Sequence, residues 1–306
     1  MGQKNTLPDK EQFECTETGF LVRAPAKINL SLLIAGKRPD GFHEIETLMA
    51  KVNLYDELLF EPGKSSRVEL VCKGQYQVPA GQDNLVYSAC QMLLNRASLK
   101  LGVRVTLTKN IPAGAGLGGG SSDAAAALIG LNKFAKTGFS QQQLSEMAAE
   151  LGSDVAFFIG GPLACCTGRG EKIEKIKEKY PFLAVLILPN ISSSTKRVYV
   201  NYIHDKDIYR PLKEAFDELI KKKRVDLIAK MCANMLESSC FSIHHRIGQL
   251  KAKIEELGVA PVCLSGSGST LFHIIEDADY QRAEECRVRL NCLPDCKTVM
   301  VKNCIW

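Results

Sequence analysis

The feature that most constrains this chain is a glycine run that leads straight into helix formers. It reads Pro112-Ala113-Gly114-Ala115-Gly116-Leu117-Gly118-Gly119-Gly120-Ser121-Ser122-Asp123 and is followed by four alanines. Glycine permits positive φ and lets other groups approach the backbone closely. A helix start behind such a loop offers unpaired N–H groups and the positive end of a dipole, a natural seat for an anion. A polyphosphate held here would contact mostly backbone. Ser121 and Ser122 carry two readings each: a cap on the helix, or a hydroxyl that binds Mg²⁺.

Three phosphate loops compete for this segment. A Walker loop needs Gly-Lys-[Ser/Thr] at its end, and no lysine stands there. Gly114, Gly116 and Gly119 satisfy G-x-G-x-x-G, but a dinucleotide fold also wants an acidic residue about 20 positions later. Leu131 to Gln143 contains none, and several strands precede the loop. The third reading is a proline-led glycine run that closes on Ser-Ser.

The surrounding pattern is mixed. Phe20 to Ala26 and Ile28 to Ile34 read as two strands beside the turn-rich Gly36 to Gly41, and Val68 to Cys72 and Val103 to Thr108 alternate as strands do. Ser122 to Phe134 reads as an alanine-rich helix, and Leu144, Met147, Ala148 and Leu151 mark a second one ended by Gly152. From Pro181 the order becomes strand (Phe182 to Leu188), two or three helices, two strands (Val262 to Leu264, Leu271 to Ile275), a helix near Tyr280 to Leu290 and a last strand near Val299 to Val301. That order predicts an α+β sandwich. The expected layout is a flexible leader over 1–19, a first domain over 20–180 and a second over 181–306.

Bulk properties exclude several classes. The net charge of +5 suits phosphorylated ligands but is too even for a nucleic-acid footprint, and no Lys/Arg stripe is interleaved with aromatics. No apolar run approaches the roughly 20 residues that span a bilayer, so no membrane partner is expected. Twelve cysteines are many for a chain of this kind, but several sit in apolar runs and no secretory signal precedes them. Free thiols in a reducing cytoplasm are expected, and no set of Cys and His completes a zinc site.

Two further segments join the glycine run. Pro25-Ala26-Lys27-Ile28-Asn29-Leu30 and Leu264-Ser265-Gly266-Ser267-Gly268-Ser269-Thr270 resemble, with it, the three motifs of the GHMP kinase family, in order and across nearly the whole chain. The resemblance implies a two-domain GHMP fold: a ribosomal protein S5 domain-2-like first domain and a ferredoxin-like α/β sandwich. It also implies a kinase using ATP and Mg²⁺, as a monomer or weak homodimer. Arg38-Pro39-Asp40-Gly41-Phe42-His43-Glu44-Ile45-Glu46-Thr47 is similar to a segment carried by family members that phosphorylate diphosphocytidyl-methylerythritol. A small-molecule cytidyl substrate is therefore the implied partner.

By the same resemblance Asp154, in Leu151-Gly152-Ser153-Asp154-Val155, is the implied catalytic base and Lys27 its partner. From position alone Asp154 could simply cap or charge a helix start. A lysine between Ala26 and Ile28 is costly to bury unpaired, and a carboxylate partner would relieve that cost. Its head reaching solvent is the alternative. Asn29 is expected to orient the substrate hydroxyl. Phe42 and Tyr199 are expected to sandwich a cytosine ring, with His43 on its edge and Thr195, Gly266 and Gly268 nearby. Asn84 and Lys109 match family positions near adenine and ribose, although both could be ordinary strand-end polar residues. Ser121 is the candidate Mg²⁺ ligand. Phe42 stands where tyrosine is common, and Tyr199 where phenylalanine is.

Overall fold

The two strands expected at Phe20 and Ile28 are one, β2 (Phe20–Lys37). Pro25 suggested a break, but shifts of register after Pro25, Asn29 and Ile34 let the strand bend without ending. The computed structural model describes residues 7, 10–275 and 279–306. In it β1 (Phe13–Cys15), β2, β3 (His43–Pro62), β4 (Val68–Gly74), β5 (Val103–Lys109), β6 (Leu163–Gly168) and β7 (Lys172–Lys175) form one sheet. Its order is β1-β2-β3-β5-β4. β6 lies on the first half of β3, and β7 on β6. Only β4 and β5 run parallel, as their crossover through helix α1 (Leu85–Arg96) requires.

Helix α2 (Gly119–Phe134) packs on α1, β2 and α4 (Val155–Ile159), and α3 (Gln141–Leu151) closes that layer. Its alanines let it lie close to its neighbours: Ala124, Ala125 and Ala127 are buried, and a Cβ at Gly130 would meet the Phe60 ring.

The second sheet holds β8 (Leu183–Pro189), β9 (Cys263–Leu264), β10 (Leu271–Ile275) and β11 (Cys296–Lys302) in the antiparallel order β11-β8-β10-β9. Between β8 and β9 come α5 (Thr195–Val200), α6 (Lys206–Lys221), α7 (Val225–Met231), α8 (Glu237–Ile243) and α9 (His245–Glu256), more helices than expected. α10 (Tyr280–Leu290) joins β10 to β11, which completes a ferredoxin-like βαββαβ order. Lys222 to Arg224, between α6 and α7, is exposed.

Two expectations need correction. Within the supposed flexible leader, whose residues 1–6, 8 and 9 lie outside the described residues, Phe13–Cys15 is a strand on β2. Phe13 stacks on Phe20 at 5.8 Å, and Arg23 donates to Glu11 O and to Glu14. And Cys232 and Cys263, expected as free thiols, are joined in a disulfide, because the end of α7 and the start of β9 bring their Cα atoms within 5.3 Å. The other ten cysteines are free.

β2 links the two apolar cores. Val22 and Ala24 belong to the core under α1–α4, whereas Ala26, Ile28 and Leu30 belong to the core shared with Val185 and Ile187 of β8. Lys27 sits where the strand passes from one to the other.

Candidate active site

The glycine run presents its two backbone edges differently. Its carbonyls face inward: Gly114 O accepts from Ser193 N, Ala115 O from Thr270 N, Gly116 O from Ser265 Oγ, and Leu117 O from Lys27 N. Its N–H groups from Gly114 to Ser121 donate to no acceptor among the described residues. A row of unpaired amides before a 16-residue helix is an anion seat.

The glycines serve different ends. Gly114, Gly116 and Gly118 have φ of +65°, +76° and +69°. A Cβ at Gly116 would lie 2.1 Å from Ser265 O, and one at Gly118 would lie 2.9 Å from the Phe158 ring and 3.0 Å from Lys27 Cγ. These two are required by neighbouring protein, not by a ligand. Gly120 faces open space, with nothing within 4 Å of a Cβ. Neither serine caps the helix: the cap is Gly118 without a side-chain bond, Ser121 is half-buried, and Ser122 Oγ is buried without a hydrogen-bond partner.

Lys27 lies against this loop. Its side chain is buried, its Nζ donates to Asn29 Oδ1 and stands 4.0 Å from Asp154 Oδ2. Asn29 Nδ2 donates to Thr47 Oγ1 at 2.8 Å, and Thr47 Oγ1 to Ser31 O at 2.6 Å, so the amide is fixed in orientation. Burial pushes the Lys27 pKa down, opposed by the Asp154 carboxylate. Asp154 stands at the start of α4 but makes no capping bond, so its role is not that of a helix cap. Its carboxylate is 37% exposed. The third motif closes the group: a Cβ at Gly266 would lie 3.1 Å from Asn29 Oδ1 and 3.2 Å from Lys27 Nζ, while Gly268 packs on Cys240 and Leu264.

Residues 84–162 match the GHMP kinases N terminal domain, and residues 212–292 match the GHMP kinases C terminal region. The chain belongs to the GHMP kinase family. It is similar to 4-diphosphocytidyl-2-C-methyl-D-erythritol kinase of Bacillus cytotoxicus, 41% identical over 256 residues that span 84% of this chain and 88% of that protein. A kinase of the same name from Geobacillus sp. is 39% identical over 264 residues, 86% of this chain and 91% of that protein. A solved structure of 4-(cytidine 5'-diphospho)-2C-methyl-D-erythritol kinase superimposes with a TM-score of 0.72 at 31% identity, covering 92% of this chain and 98% of that one.

The aromatic group of this GHMP kinase differs from the expected sandwich. Tyr199 on α5 is half-buried and lies against His43, with ring centroids 5.3 Å apart, and Tyr202 meets His43 edge-on at 5.7 Å. Phe42 is 52% exposed, and its ring is covered by the Arg169 guanidinium at 4.9 Å. Phe42 and Tyr199 thus do not face each other: His43 occupies the Tyr199 face, where a flat ring was expected. Burial lowers the His43 pKa, helped by Lys37 and His204. Thr195 Oγ1 shares a hydrogen bond with Ser267 Oγ at 2.9 Å, which ties α5 to the third motif.

Asn84 and Lys109 do not offer free side chains. Asn84 caps α1, its Oδ1 accepting from Val86 N while Nδ2 donates to Pro79 O at 2.7 Å. The Lys109 ammonium is buried between Asp56 and Asp123. Burial acts against its charge, but the two carboxylates outweigh it and hold its pKa above the ordinary value; burial pushes Asp123 up. Asn84 thus begins a helix rather than ending a strand, and Lys109 ends β5 with its ammonium on two carboxylates. Sequence reasoning missed Arg169, gave Thr47 no role of its own, and did not foresee that Lys109 pairs with Asp56 and Asp123. A charge inside an apolar strand was the available signal for Asp56, the same signal that singled out Lys27.

Proposed function

We propose that the chain transfers the γ-phosphoryl group of ATP to the 2-hydroxyl of 4-diphosphocytidyl-2-C-methyl-D-erythritol, giving the 2-phosphate and ADP in the methylerythritol phosphate route to isoprenoids. The observation that carries this reading is the row of unpaired amides from Gly114 to Ser121, set beside Lys27 and an exposed Asp154. ATP phosphates on those amides would meet Lys27, whose buried charge stabilises the electrons gathering on the transferring group. Asn29, held by Thr47, orients the acceptor hydroxyl. The Asp154 carboxylate takes its proton as the new P–O bond forms and the bond to ADP breaks. The cytosine end lies toward Phe42, His43 and Tyr199.

Among the described residues no three His, Cys, Asp or Glu side chains converge on a metal site. Mg²⁺ would then be held largely by phosphate oxygens and water, the usual habit of this cation, and the half-buried Ser121 hydroxyl is the side chain that could join them. Mg²⁺ would neutralise phosphate charge during the transfer. No helix among the described residues is long and apolar enough to cross a membrane, and a cytoplasmic site of action accords with a small phosphorylated substrate.

The test is direct. Purified protein with ATP, Mg²⁺ and the cytidyl substrate should yield the 2-phosphate and ADP in equal amounts, with mevalonate and homoserine far poorer acceptors. Absence of product, or an equal rate with mevalonate, would remove the cytidyl reading.

A further inference from the structure

Lys51 is among the largest fully buried side chains, 1% exposed in the middle of β3 and opposite Lys27 in the β2–β3 register. A buried ammonium ordinarily needs a carboxylate, and Lys51 has none within ion-pair distance among the described residues. Its Nζ donates instead to Phe158 O at 3.1 Å and Gly160 O at 2.9 Å, the carbonyls that close α4. A cation on the last carbonyls of a helix is favourable. Lys51 N also donates to Pro162 O at 2.8 Å, so the turn after α4 is gripped twice. The other end of α4 is Asp154. Between them, the Phe158 ring abuts the glycine loop at Gly118.

We propose that Lys51 is a positioning residue for phosphoryl transfer: its buried ammonium fixes the C-terminal end of α4 and thereby sets the Asp154 carboxylate against Lys27 and the acceptor hydroxyl. The helix spans five residues, little more than one turn, so it has few bonds of its own with which to resist tilting. Its bearing on the chemistry comes from the anchors at its two ends. An apolar residue would fill the same space without burying a charge. Keeping the charge makes sense if the two carbonyls must be held in place. Burial lowers the Lys51 pKa to about 8, with Cys304 opposing and Lys175 assisting.

The proposal rests on Asp154 being the base, and a double-mutant cycle separates the two ideas. Lys51→Met and Lys51→Gln are each made in the wild type and in Asp154→Asn, with kcat, both KM values and ATP binding by calorimetry measured throughout. Misplacing a catalytic group by about 1 Å can cost on the order of 10²-fold. Lys51→Met should lower kcat about 10- to 100-fold with ATP affinity within about twofold, and Lys51→Gln, which keeps a donor, should recover part of it. In the Asp154→Asn background Lys51→Met should cost almost nothing more, since the group it positions is already inactive. A full wild-type kcat in Lys51→Met overturns the proposal. So does an equal loss in both backgrounds, a parallel fall in ATP affinity, or failure of both variants to fold, each of which marks a general structural role. A near wild-type rate in Asp154→Asn alone would instead refute the base assignment beneath it.

Discussion

Substituting two glycines of one loop should produce opposite effects. At Gly116 an added Cβ meets Ser265 O at 2.1 Å and Gly268 O at 3.0 Å, and φ is +76°. Holding an L-residue in that left-handed conformation costs about 1–2 kcal/mol. Relieving a clash against backbone is an overpacking change, typically about 1–3 kcal/mol. Gly116→Ala should thus lose roughly 2–5 kcal/mol, or about 4–10 °C in Tm at about 2 °C per kcal/mol for a chain of this size. At Gly120 no atom lies within 4 Å and the residue is already helical. Alanine there gains up to about 1 kcal/mol of helix propensity, so Gly120→Ala should melt at or slightly above the wild type. The open space at Gly120 is, however, where the proposed phosphates lie. A methyl group that displaces one charged hydrogen bond, about 1.5–3 kcal/mol, should raise the KM for ATP about tenfold or more. Thermal melts without nucleotide, paired with ATP titrations of the rate, read both effects. A wild-type Tm in Gly116→Ala, or a wild-type ATP KM in Gly120→Ala, would refute the division of labour drawn from the loop geometry.

Other changes probe the rest of the site. Asp154→Asn should keep the fold and ATP binding while kcat drops about 10²–10⁴-fold, and a rate near that of the wild type would exclude it as the base. Tyr199→Ala, which removes the ring that His43 leans on, should weaken the cytidyl substrate with ATP affinity unchanged, and methylerythritol phosphate without its cytidyl group should be a very poor substrate of the wild type. Equal rates on the full and truncated substrates would discard the aromatic reading. Lys109→Met leaves Asp56 and Asp123 buried together without their cation, so denaturant unfolding should show a loss of about 3–5 kcal/mol. An unchanged midpoint, with only ATP affinity reduced, would restore Lys109 to the nucleotide site.

What the sequence reveals about this fold is mostly local. The glycine run, the alanine helix behind it and the βαββαβ order of the second half were readable because each is written in consecutive residues. β3 was not: its 20 residues carry Lys51, Asn53, Asp56 and Glu57 among the apolar ones, which blurs a strand that supports three others. The helices between β8 and β9 were undercounted because α7 and α8 have seven residues each, too short for a clear 3.6-residue period. Lys27 and Asp154 were found through their motifs, and burial of Lys27 was legible from its apolar neighbours. The direction in which Lys109 points was not. Whether a lysine at the end of a strand meets solvent, nucleotide or carboxylate depends on Asp56, 53 residues earlier in the chain.

The same hydrogen bonds explain why the three motifs come together. A loop that offers a run of N–H groups to phosphate must turn the opposite edge of each peptide, its carbonyl, back into the protein. Buried carbonyls need donors. Here the first motif supplies Lys27 N to Leu117 O, and the third supplies Ser265 Oγ to Gly116 O and Thr270 N to Ala115 O. The segment that opens the second half supplies Ser193 N to Gly114 O. None of these four donors lies in the glycine run. The donors also bring chemistry with them: the strand that donates Lys27 N carries the Lys27 ammonium and Asn29, and the loop that donates Ser265 Oγ places Gly266 against both. Seating the glycine run and bringing Lys27, Asn29 and Gly266 together are therefore one packing event. A chain that kept the glycine run but lost its first or third motif would be left with buried carbonyls without partners.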